Sequence, residues 1–260
     1  MYEQWIIALL VAPLVIAFES FALRGTKNRT VCTAFHITGL ILMLFFSVQV
    51  ISGVLEKGSI SAFNNWVYVD SLSAIFLGLI AVVGSLAGVY SIGYMNTELE
   101  EGHIDFKTYA HYHGFLHLFF FTMIVSVITN NLILVWVAIE ATTLSSAFLV
   151  GTYKQKTSLE AAWKYIIICS VGVAFGLYGT LLTFANANGV LADPSQAIFW
   201  SAVNQQATGL NPMLMYIAFA FVLIGFGTKC GLFPMHTWLS DAHSEAPSPV
   251  SAILSAVLLN

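Results

Sequence analysis

Two ionisable side chains lie deep inside long apolar segments of this sequence. Glu140 follows Trp136-Val-Ala-Ile, and Lys229 follows Gly225-Phe-Gly-Thr. A charge at the centre of a bilayer costs about 2.5–3.5 kcal/mol on insertion scales, so residues placed there usually have a function. Because a low-dielectric surrounding disfavours their charged forms, both could gain and lose a proton near neutral pH. The two residues therefore predict proton chemistry inside a membrane, a neutral Glu140 bonded to a backbone carbonyl being the plainer alternative.

The segment that carries Lys229 is too long for one straight membrane helix. From Met213 to His243 it would measure roughly 45 Å as a continuous helix, whereas a hydrocarbon core is about 30 Å thick. Gly231 and Pro234 are the residues at which we expect the helix to break. Free carbonyls at a midplane break need polar neighbours or water, and many transporters build ion sites in this way. Lys229 would then be too deep for its ammonium group to reach the membrane surface, which is the alternative for a lysine near a helix end.

Lys164 and three histidines are weaker candidates. Lys164 lies four residues after Glu160 at the start of an apolar run, so an ordinary helical ion pair and a functional lysine both stay open. His113 and His117 have the i, i+4 spacing of a helical metal pair, but no third ligand accompanies them, and no metal site is predicted. Since histidine titrates near neutral pH, we expect His113, His117 and the neighbouring His111 to take up protons near the membrane interface.

A second polar group follows the expected helix break. His236, Asp241 and His243 lie within about two helical turns of one another. Histidine and aspartate side chains can both pass protons between water and a buried lysine. These three residues are therefore candidates for proton uptake or for support of Lys229.

The composition indicates that a bilayer surrounds the chain. Of its 260 residues 58% are hydrophobic and only 8% are charged, whereas soluble domains carry about 25% charged residues. The net charge of −4, without a basic cluster, excludes nucleic acid as a partner. Cys32, Cys169 and Cys230 are too far apart to form a CxxC pair or an iron–sulfur or zinc ligand set. No redox cofactor is therefore expected in this chain.

The hydropathy pattern predicts an all-α fold, a polytopic transmembrane helical bundle. A span needs about 20 mostly apolar residues. A short surface helix is expected within residues 195–203, in the polar stretch between the sixth and seventh spans. An eighth apolar run begins near Pro249, after seven runs at 4–23, 31–54, 69–95, 113–129, 131–150, 161–186 and 213–233.

Lysine and arginine residues in the short loops predict the orientation of the bundle. Only Lys57 follows an even-numbered span. The loops after odd-numbered spans carry the remaining basic residues outside the spans, namely Arg24, Lys27, Arg29, Lys107, Lys154 and Lys156. Since positively charged loops stay in the cytoplasm, the N-terminus should face outward.

The last apolar run stops early. From Pro249 onward it has about a dozen residues, too few to cross a bilayer. A helix cannot end in hydrocarbon with its last carbonyls unpaired. Either a longer polypeptide or a partner protein should therefore complete it, and the longer polypeptide is the favoured interpretation.

Two motifs resemble the antiporter-like subunits of the complex I superfamily. The first is Trp136-Val-Ala-Ile-Glu-Ala-Thr-Thr-Leu, and the second runs from Gly227-Thr-Lys-Cys-Gly-Leu-Phe-Pro through Asp241-Ala-His-Ser-Glu-Ala-Pro-Ser-Pro. The superfamily includes proton-pumping membrane subunits of NADH–quinone oxidoreductase, large subunits of Mrp-type sodium/proton antiporters and membrane subunits of energy-converting hydrogenases. The sequences of both motifs most resemble component F of hydrogenase-4-type formate hydrogenlyases. The resemblance covers most of residues 110–260, whereas residues 1–100 agree only in hydropathy.

The resemblance implies roles for individual residues. Glu140 matches the family's fifth-helix glutamate, which sets the charge state of the seventh-helix lysine. Lys229 matches that lysine, the proton carrier of the first half-channel. Lys164 matches a sixth-helix lysine, which favours a functional role for it. Asn260 stands where some relatives carry an eighth-helix lysine, so the chain departs from the family pattern there.

The resemblance also implies an architecture. Residues 1–110 would form helices one to three and the following loop. Residues 111–260 would form helices four to eight, one inverted-repeat half-channel with a broken seventh helix. Family members contain two such repeats, so this chain matches their N-terminal half.

Subunits of this kind move protons through a Glu/Lys relay within redox-driven complexes. The resemblance therefore implies other membrane-arm subunits and a peripheral redox module as partners, with iron–sulfur and nickel–iron centres in those partners. It implies a prokaryotic cytoplasmic (inner) membrane as the location. Hydrogenase, complex I and Mrp antiporter are all open as the parent complex. Sodium/proton exchange without redox coupling and a purely structural role in the membrane arm are the alternative functions.

Overall fold

The computed structural model describes residues 2–26 and 28–259 as a bundle of helices. Seven helices in these ranges are long and apolar enough to cross a membrane. Each of the seven predicted apolar runs coincides with one of them over most of its length, which confirms the polytopic helical bundle. Lys27, one of the basic residues used to predict the orientation, and Asn260 lie outside the described residues.

Six long helices come first, joined by short connections. They are α1 (Tyr2–Ala22), α2 (Arg29–Lys57), α3 (Ser71–Glu100), α4 (Phe106–Ile128), α5 (Leu132–Val150) and α6 (Lys156–Asn188). A small antiparallel hairpin, β1 (Ile60–Ala62) and β2 (Val67–Val69), lies between α2 and α3.

The remaining helices are shorter. They are α7 (Trp200–Gln205), α8 (Pro212–Lys229), α9 (Thr237–Glu245) and α10 (Ser248–Ile253). The helix expected within 195–203 is divided into a 3-10 turn at Pro194–Ile198 and α7. The division occurs at Phe199, whose extended backbone caps both pieces.

Asparagine and aspartate side chains define where most of the long helices begin. Each accepts a hydrogen bond from a free backbone N–H of the first turn, which typically stabilises a helix by about 1 kcal/mol. The capping residues are Asn28, Asp70, Asp105, Asn131 and Asn211. These polar caps therefore fix the helix starts that hydropathy alone leaves uncertain.

The helices α6 and α8 pack with their backbones in close contact. A Cβ atom on Gly225 of α8 would lie 2.2 Å from the backbone nitrogen of Gly176 on α6. One turn away, a Cβ on Gly179 would lie 2.7 Å from the carbonyl oxygen of Ala218. Small residues allow this approach, which is the usual way in which membrane helices associate. The contact fixes the end of α8 against α6.

The membrane helix that carries Lys229 is broken at the residues expected from the sequence. The first half, α8, ends at Lys229, and the second half, α9, begins at Thr237. Gly231 has a φ of +73°, a left-handed conformation that glycine adopts without strain, and the Phe233–Pro234 peptide bond is cis. The backbone therefore leaves helical geometry directly after the lysine.

Candidate functional site

Lys229 is buried among hydroxyl groups rather than carboxylates. Its side chain is almost fully enclosed, since the residue is 5% exposed. The Nζ atom donates to Oγ1 of Thr143 on α5 at 2.8 Å and to the hydroxyl oxygen of Tyr165 on α6 at 2.7 Å. Neutral acceptors solvate an ammonium group without supplying the full opposite charge that would fix its proton. The site can therefore accommodate both the charged and the neutral lysine.

The hydroxyl of Tyr165 continues the hydrogen bonds away from the lysine. Because the Ser146 hydroxyl is engaged as a donor to a backbone carbonyl, the Tyr165 hydroxyl donates to Oγ of Ser146, 2.8 Å away. The hydroxyl of Ser146 in turn donates to the carbonyl oxygen of Thr142 at 2.5 Å. The ammonium group thus begins a chain of donors that crosses from α8 through α6 to α5.

The second half of the broken helix holds Tyr165 in place. The indole ring of Trp238 on α9 stacks on the Tyr165 ring, with centroids 4.6 Å apart. Its Nε1–H also donates to the carbonyl oxygen of Thr228 at 3.0 Å, in the last turn of α8. Trp238 therefore couples the geometry of the break to the position of the lysine's partner.

A cavity of about 300 Å³ reaches the lysine from between the helices. Most of its wall is apolar, but Ser73, Ser126, Thr142 and Lys229 are among the residues that line it. A buried water needs room and two to four polar partners, and the polar part of this wall offers both. The cavity is thus a route along which water could exchange protons with the ammonium group.

Glu140 lies on α5, half-buried and facing α6. Its Oε1 accepts a short hydrogen bond from the hydroxyl of Ser170, and its buried Oε2 has no protein partner among the described residues. The described ion pairs do not include one between Glu140 and Lys229. Any influence of this carboxyl group on the lysine would therefore act through space and not through a direct ion pair.

Lys164 makes the helical ion pair that its spacing predicts, together with a second one. Its Nζ lies 2.8 Å from Oε1 of Glu160 and 3.0 Å from Oδ2 of Asp241 on α9. About half of the side chain is exposed, so water and salt screen these pairs and they contribute little to stability. The contact nevertheless ties α6 to the second half of the broken helix, beside a cleft of about 180 Å³.

The two histidines after the break lie apart from the lysine's hydroxyl partners. His236 is exposed at the start of α9 and its ring contacts that of Phe233. His243 is half-buried, with Nδ1 2.8 Å from the hydroxyl oxygen of Ser251 on α10. Proton uptake by these side chains stays a prediction.

His113 and His117, which the sequence analysis expected to take up protons near the membrane interface, are enclosed within the bundle, and proton uptake there stays a prediction. Both are fully buried on α4, which begins at Phe106 and has the most buried of the apolar spans. The apolar run appeared to start at residue 113 because the preceding turns are rich in tyrosine and histidine. Their third companion is His36 on α2, which the sequence analysis missed. A histidine in the middle of an apolar run was the signal that could have found it.

Tyr165, Thr143 and Ser170 also escaped the sequence analysis. Hydroxyl residues are common in membrane helices, so their types alone carry no signal. Only the packing of α5, α6 and α8 reveals which hydroxyls face Glu140 and Lys229. Their presence turns two isolated ionisable residues into an arrangement that can receive, hold and release a proton.

Known protein families match both halves of the chain. A profile described as "NADH:quinone oxidoreductase/Mrp antiporter, TM" matches residues 129–260, and one described as "NADH-Ubiquinone oxidoreductase (complex I), chain 5 N-terminus" matches residues 61–105. A hydrogenase-4 component F homolog from Methylacidiphilum infernorum is 41% identical over 192 residues, which are 74% of this chain and 40% of that protein. A Na(+)/H(+) antiporter subunit A1 from Staphylococcus aureus is 28% identical, over 96% of this chain and 30% of its own length.

Two solved structures share the fold at low sequence identity. A chain of the archaeal membrane-bound sulfane sulfur reductase, a respiratory membrane complex, superposes on 98% of this chain with a TM-score of 0.80 and 20% identity. A chain of respiratory complex I from Thermus thermophilus superposes on 96% with a TM-score of 0.70, also at 20% identity. This chain spans half the length of each of these and less than half of the relatives named above.

Proposed function

Because the chain belongs to the family described as NADH:quinone oxidoreductase/Mrp antiporter, we propose that it moves protons across the bilayer as a membrane subunit of a redox-driven complex. It is a multi-pass membrane protein of the antiporter-like type. In the proposed mechanism Lys229 carries the proton, Glu140 controls its affinity for it, and Lys164 belongs to the same relay. One observation supports the proposal above all others: Lys229 is enclosed at a helix break, and its hydrogen-bond partners among the described residues are hydroxyl groups.

The proposed cycle begins with water in the cavity beside α8. A proton from that water binds to Nζ of a neutral Lys229, and the ammonium group that forms donates to Thr143 and Tyr165. The N–H bond forms as an O–H bond of a hydronium ion breaks, and this leaves a neutral water molecule in the cavity. Release returns the proton to water or to an acceptor further along the membrane arm.

Glu140 supplies the switch in this cycle. Two unit charges about 6 Å apart interact by roughly 3 kcal/mol at an effective dielectric near 20, which is about a hundredfold in proton affinity. An ionised Glu140 therefore raises the proton affinity of Lys229, so that the lysine binds a proton. Neutralising or screening the carboxylate lowers that affinity, and the lysine releases the proton. The hydroxyl of Ser170 holds the carboxyl group in position while its charge changes.

Substitution of Lys229 tests the proposal directly. We expect Lys229→Ala to abolish proton uptake by inside-out vesicles of the native complex. Lys229→Arg keeps the positive charge but cannot release its proton near neutral pH, so we expect it to fail as well. Lys156→Ala, an exposed lysine at the start of α6, is the matched control and should pump normally.

Electron transfer must be measured beside proton uptake in the same vesicles. Normal electron transfer with lost pumping is the expected result for the Lys229 variants. Full pumping by Lys229→Ala would overturn the assigned role. Unaltered transport after loss of both Lys229 and Glu140 would indicate a purely structural membrane subunit.

The partners and the location belong to the same proposal. Relatives of the chain include subunits of respiratory membrane complexes, which supports an assembly with other membrane-arm subunits. A peripheral module would hold the iron–sulfur or nickel–iron centres that drive pumping, and this chain would hold none. The proposed location is a prokaryotic cytoplasmic membrane with the N-terminus outside. Mass spectrometry of the gently extracted complex tests the composition, since hydrogenase subunits and NADH-binding subunits indicate different parent complexes.

Sodium/proton exchange without redox coupling is the second candidate function. The match to an antiporter subunit A1 along 96% of the chain favours it. Sodium-dependent proton flux in vesicles without an electron donor would establish exchange. Flux that requires electron transfer and is indifferent to sodium would establish redox-driven pumping instead.

A further inference from the structure

Three buried histidines meet between α2, α3 and α4, away from Lys229. His36, His113 and His117 are each 0% exposed. Nδ1 of His36 lies 2.9 Å from Nε2 of His117, and Nε2 of His36 lies 3.0 Å from the carbonyl oxygen of Gly88 on α3. The ring centroids of His36 and His113 are 4.4 Å apart. We call these three residues the histidine cluster.

The hydrogen bonds determine where the protons of two of these rings lie. A carbonyl oxygen only accepts, so Nε2 of His36 must carry a hydrogen and donate to Gly88. A neutral His36 then has a bare Nδ1, which accepts from an N–H at Nε2 of His117. A neutral His117 therefore has a bare Nδ1. This nitrogen has no hydrogen-bond partner among the described protein residues.

His113 adds two more nitrogens without protein partners. Neither Nδ1 nor Nε2 of this ring is hydrogen-bonded within the described part of the chain. Each unsatisfied buried polar group costs about 1–3 kcal/mol. A protein that retains three such nitrogens side by side in its interior has polar atoms aimed at a ligand that donates and accepts hydrogen bonds. Water is the smallest ligand that does both.

The packing around His117 is shaped to hold its ring. A Cβ atom on Gly39 of α2 would lie 2.5 Å from Cε1 of His117 and 3.2 Å from its Nδ1. Any larger residue at position 39 would displace the ring from His36. The absence of a side chain at Gly39 therefore allows the ring to lie against α2, within hydrogen-bond distance of His36.

We propose that the histidine cluster is an internal proton-storage site that takes up one proton through water at Nδ1 of His117. The incoming proton binds this bare nitrogen. The hydrogen on Nε2 of His117 then moves to Nδ1 of His36, so the charge shifts to His36 and His117 is neutral again. No electron is transferred, and the water that delivered the proton is left neutral.

The stored proton cannot travel further along this chain. His36 ends on the carbonyl oxygen of Gly88, which accepts a hydrogen bond but takes over no proton at neutral pH. The proton must therefore leave the way it came, which makes the cluster a store and not a through-path. A second proton on a ring in contact is disfavoured by like-charge repulsion, so the capacity is one.

Polar side chains lead from the cluster towards one end of the bundle. The Tyr109 ring packs edge-on against His113, with centroids 4.7 Å apart. Its hydroxyl lies 3.0 Å from Oγ1 of Thr33 and 3.1 Å from Oδ1 of Asn96, both of which are partly exposed. This is the end at which α2 begins and α3 ends. Protons would therefore reach the cluster from the side of the α1–α2 and α3–α4 loops.

Other titratable side chains belong to the helices that pack here. Cys32 lies one turn before His36 on α2, and Tyr112 contacts the His113 ring on α4. Tyr94 is on α3 and pairs with a tyrosine after α5. On α1, Glu19 is half-buried with one oxygen unpartnered. Its variant Glu19→Gln separates any contribution of this carboxylate from that of the cluster.

Nitrogen-15 solid-state NMR of the intact complex in lipid, with ring-labelled histidine, tests the proposal without relying on activity. At about pH 8 we expect two neutral rings protonated at Nε2, those of His36 and His117. Between about pH 8 and pH 5, where histidine titrates, we expect one imidazolium shared by the pair. In His117→Gln that imidazolium should disappear, whereas His111→Gln, on the same helix but against Phe21, should retain it.

The tautomers of the unsubstituted protein keep the proposal testable even if a variant does not assemble. The proposal of a one-proton store would be overturned if the histidine cluster stayed neutral down to pH 5. It would also be overturned if two rings of the cluster became imidazolium ions. The site does not depend on the proposed pumping role. In Lys229→Ala the imidazolium signal should be unchanged although pumping is lost, so failure of one idea is distinguishable from failure of the other.

Discussion

A buried lysine can carry protons only if neither of its two states is trapped. A carboxylate in direct contact would hold the ammonium form, and a fully apolar pocket would exclude it. Lys229 has an intermediate environment, because Thr143 and Tyr165 are neutral but strongly polar. Of these two hydroxyl groups, that of Tyr165 is also hydrogen-bonded to a further side chain, Ser146. Its contribution is therefore separable from that of simple burial.

Tyr165→Phe should reduce proton uptake by about tenfold while the protein still assembles. The phenyl ring keeps the stack on Trp238, but Nζ of Lys229 loses one of its two acceptors. Loss of one hydrogen bond to a charged group costs about 1.5–3 kcal/mol, so a tenfold effect is the lower expectation. Proton uptake by inside-out vesicles, normalised to the amount of assembled complex, measures it.

The matched control for this change is Tyr178→Phe on the same helix. Tyr178 is exposed, and its ring contacts Phe221. It lies three to four turns from Tyr165, away from the lysine. Equal uptake by the two variants would show that the Tyr165 hydroxyl has no part in proton transfer.

At the scale of elements, the close contact of α6 and α8 determines where the lysine sits. The two helices carry Tyr165 and Lys229, and the glycines between them leave no room for a side chain. A shift of α8 away from α6 would lengthen the hydrogen bond between Nζ and the tyrosine hydroxyl. Helix packing and proton chemistry are thus coupled through a few glycine positions.

Gly225→Ala should destabilise the protein and impair pumping together. The added methyl group would lie 2.2 Å from the backbone nitrogen of Gly176, so α6 and α8 must separate. Overpacking of this kind typically costs about 1–3 kcal/mol. Thermal unfolding in lipid, followed by helical circular dichroism, measures the loss.

Gly93→Ala on α3 is the control, because a Cβ atom there meets nothing within 4 Å. Alanine also favours a helix over glycine by up to about 1 kcal/mol. The control should therefore be neutral or slightly more stable than the unsubstituted protein. A Gly225→Ala variant as stable as this control would contradict the packing described here.

The sequence predicted local features of these elements well and distant contacts poorly. Gly231 and Pro234 locate the helix break because their backbone restrictions act within a few residues. The ion pair of Lys164 with Glu160 follows from helical spacing in the same way. His36 and His117 are 81 residues apart, and no local pattern relates them. Such pairs depend on which helix faces meet, and nearly uniform apolar segments carry little information on that.

At the scale of the whole molecule, the same limitation concealed the burial of His113 and His117. Their helix begins at Phe106, about two turns before the apolar run that hydropathy identifies. Tyr109 and Tyr112 lower the hydropathy of those turns, although both are fully enclosed. Hydropathy reports the polarity of a residue and not its burial, so an internal polar cluster resembles an interface. The fold class was predictable from the sequence, but the interior arrangement of polar groups was not.

The orientation of the bundle is a prediction that follows from the loops. Three spanning helices, α3, α4 and α5, separate Lys57 from Lys156. The two residues must therefore lie on opposite sides of the membrane. The excess of lysine and arginine in the loops after odd-numbered spans places Lys156 in the cytoplasm and Lys57 outside.

Single cysteine reporters at these two exposed lysines test the orientation. Cys32 and Cys169 are buried, and Cys230 is exposed. Both reporters are therefore introduced into a Cys230→Ser protein, in which a maleimide has no exposed native thiol to label. A membrane-impermeant maleimide should label Lys57→Cys in right-side-out vesicles and Lys156→Cys only in inverted ones. The opposite pattern would reverse the orientation, and with it the side from which protons reach the histidine cluster. Labelling of both reporters from one side would contradict the three spans between them, so the experiment also checks the fold on which the proton path depends.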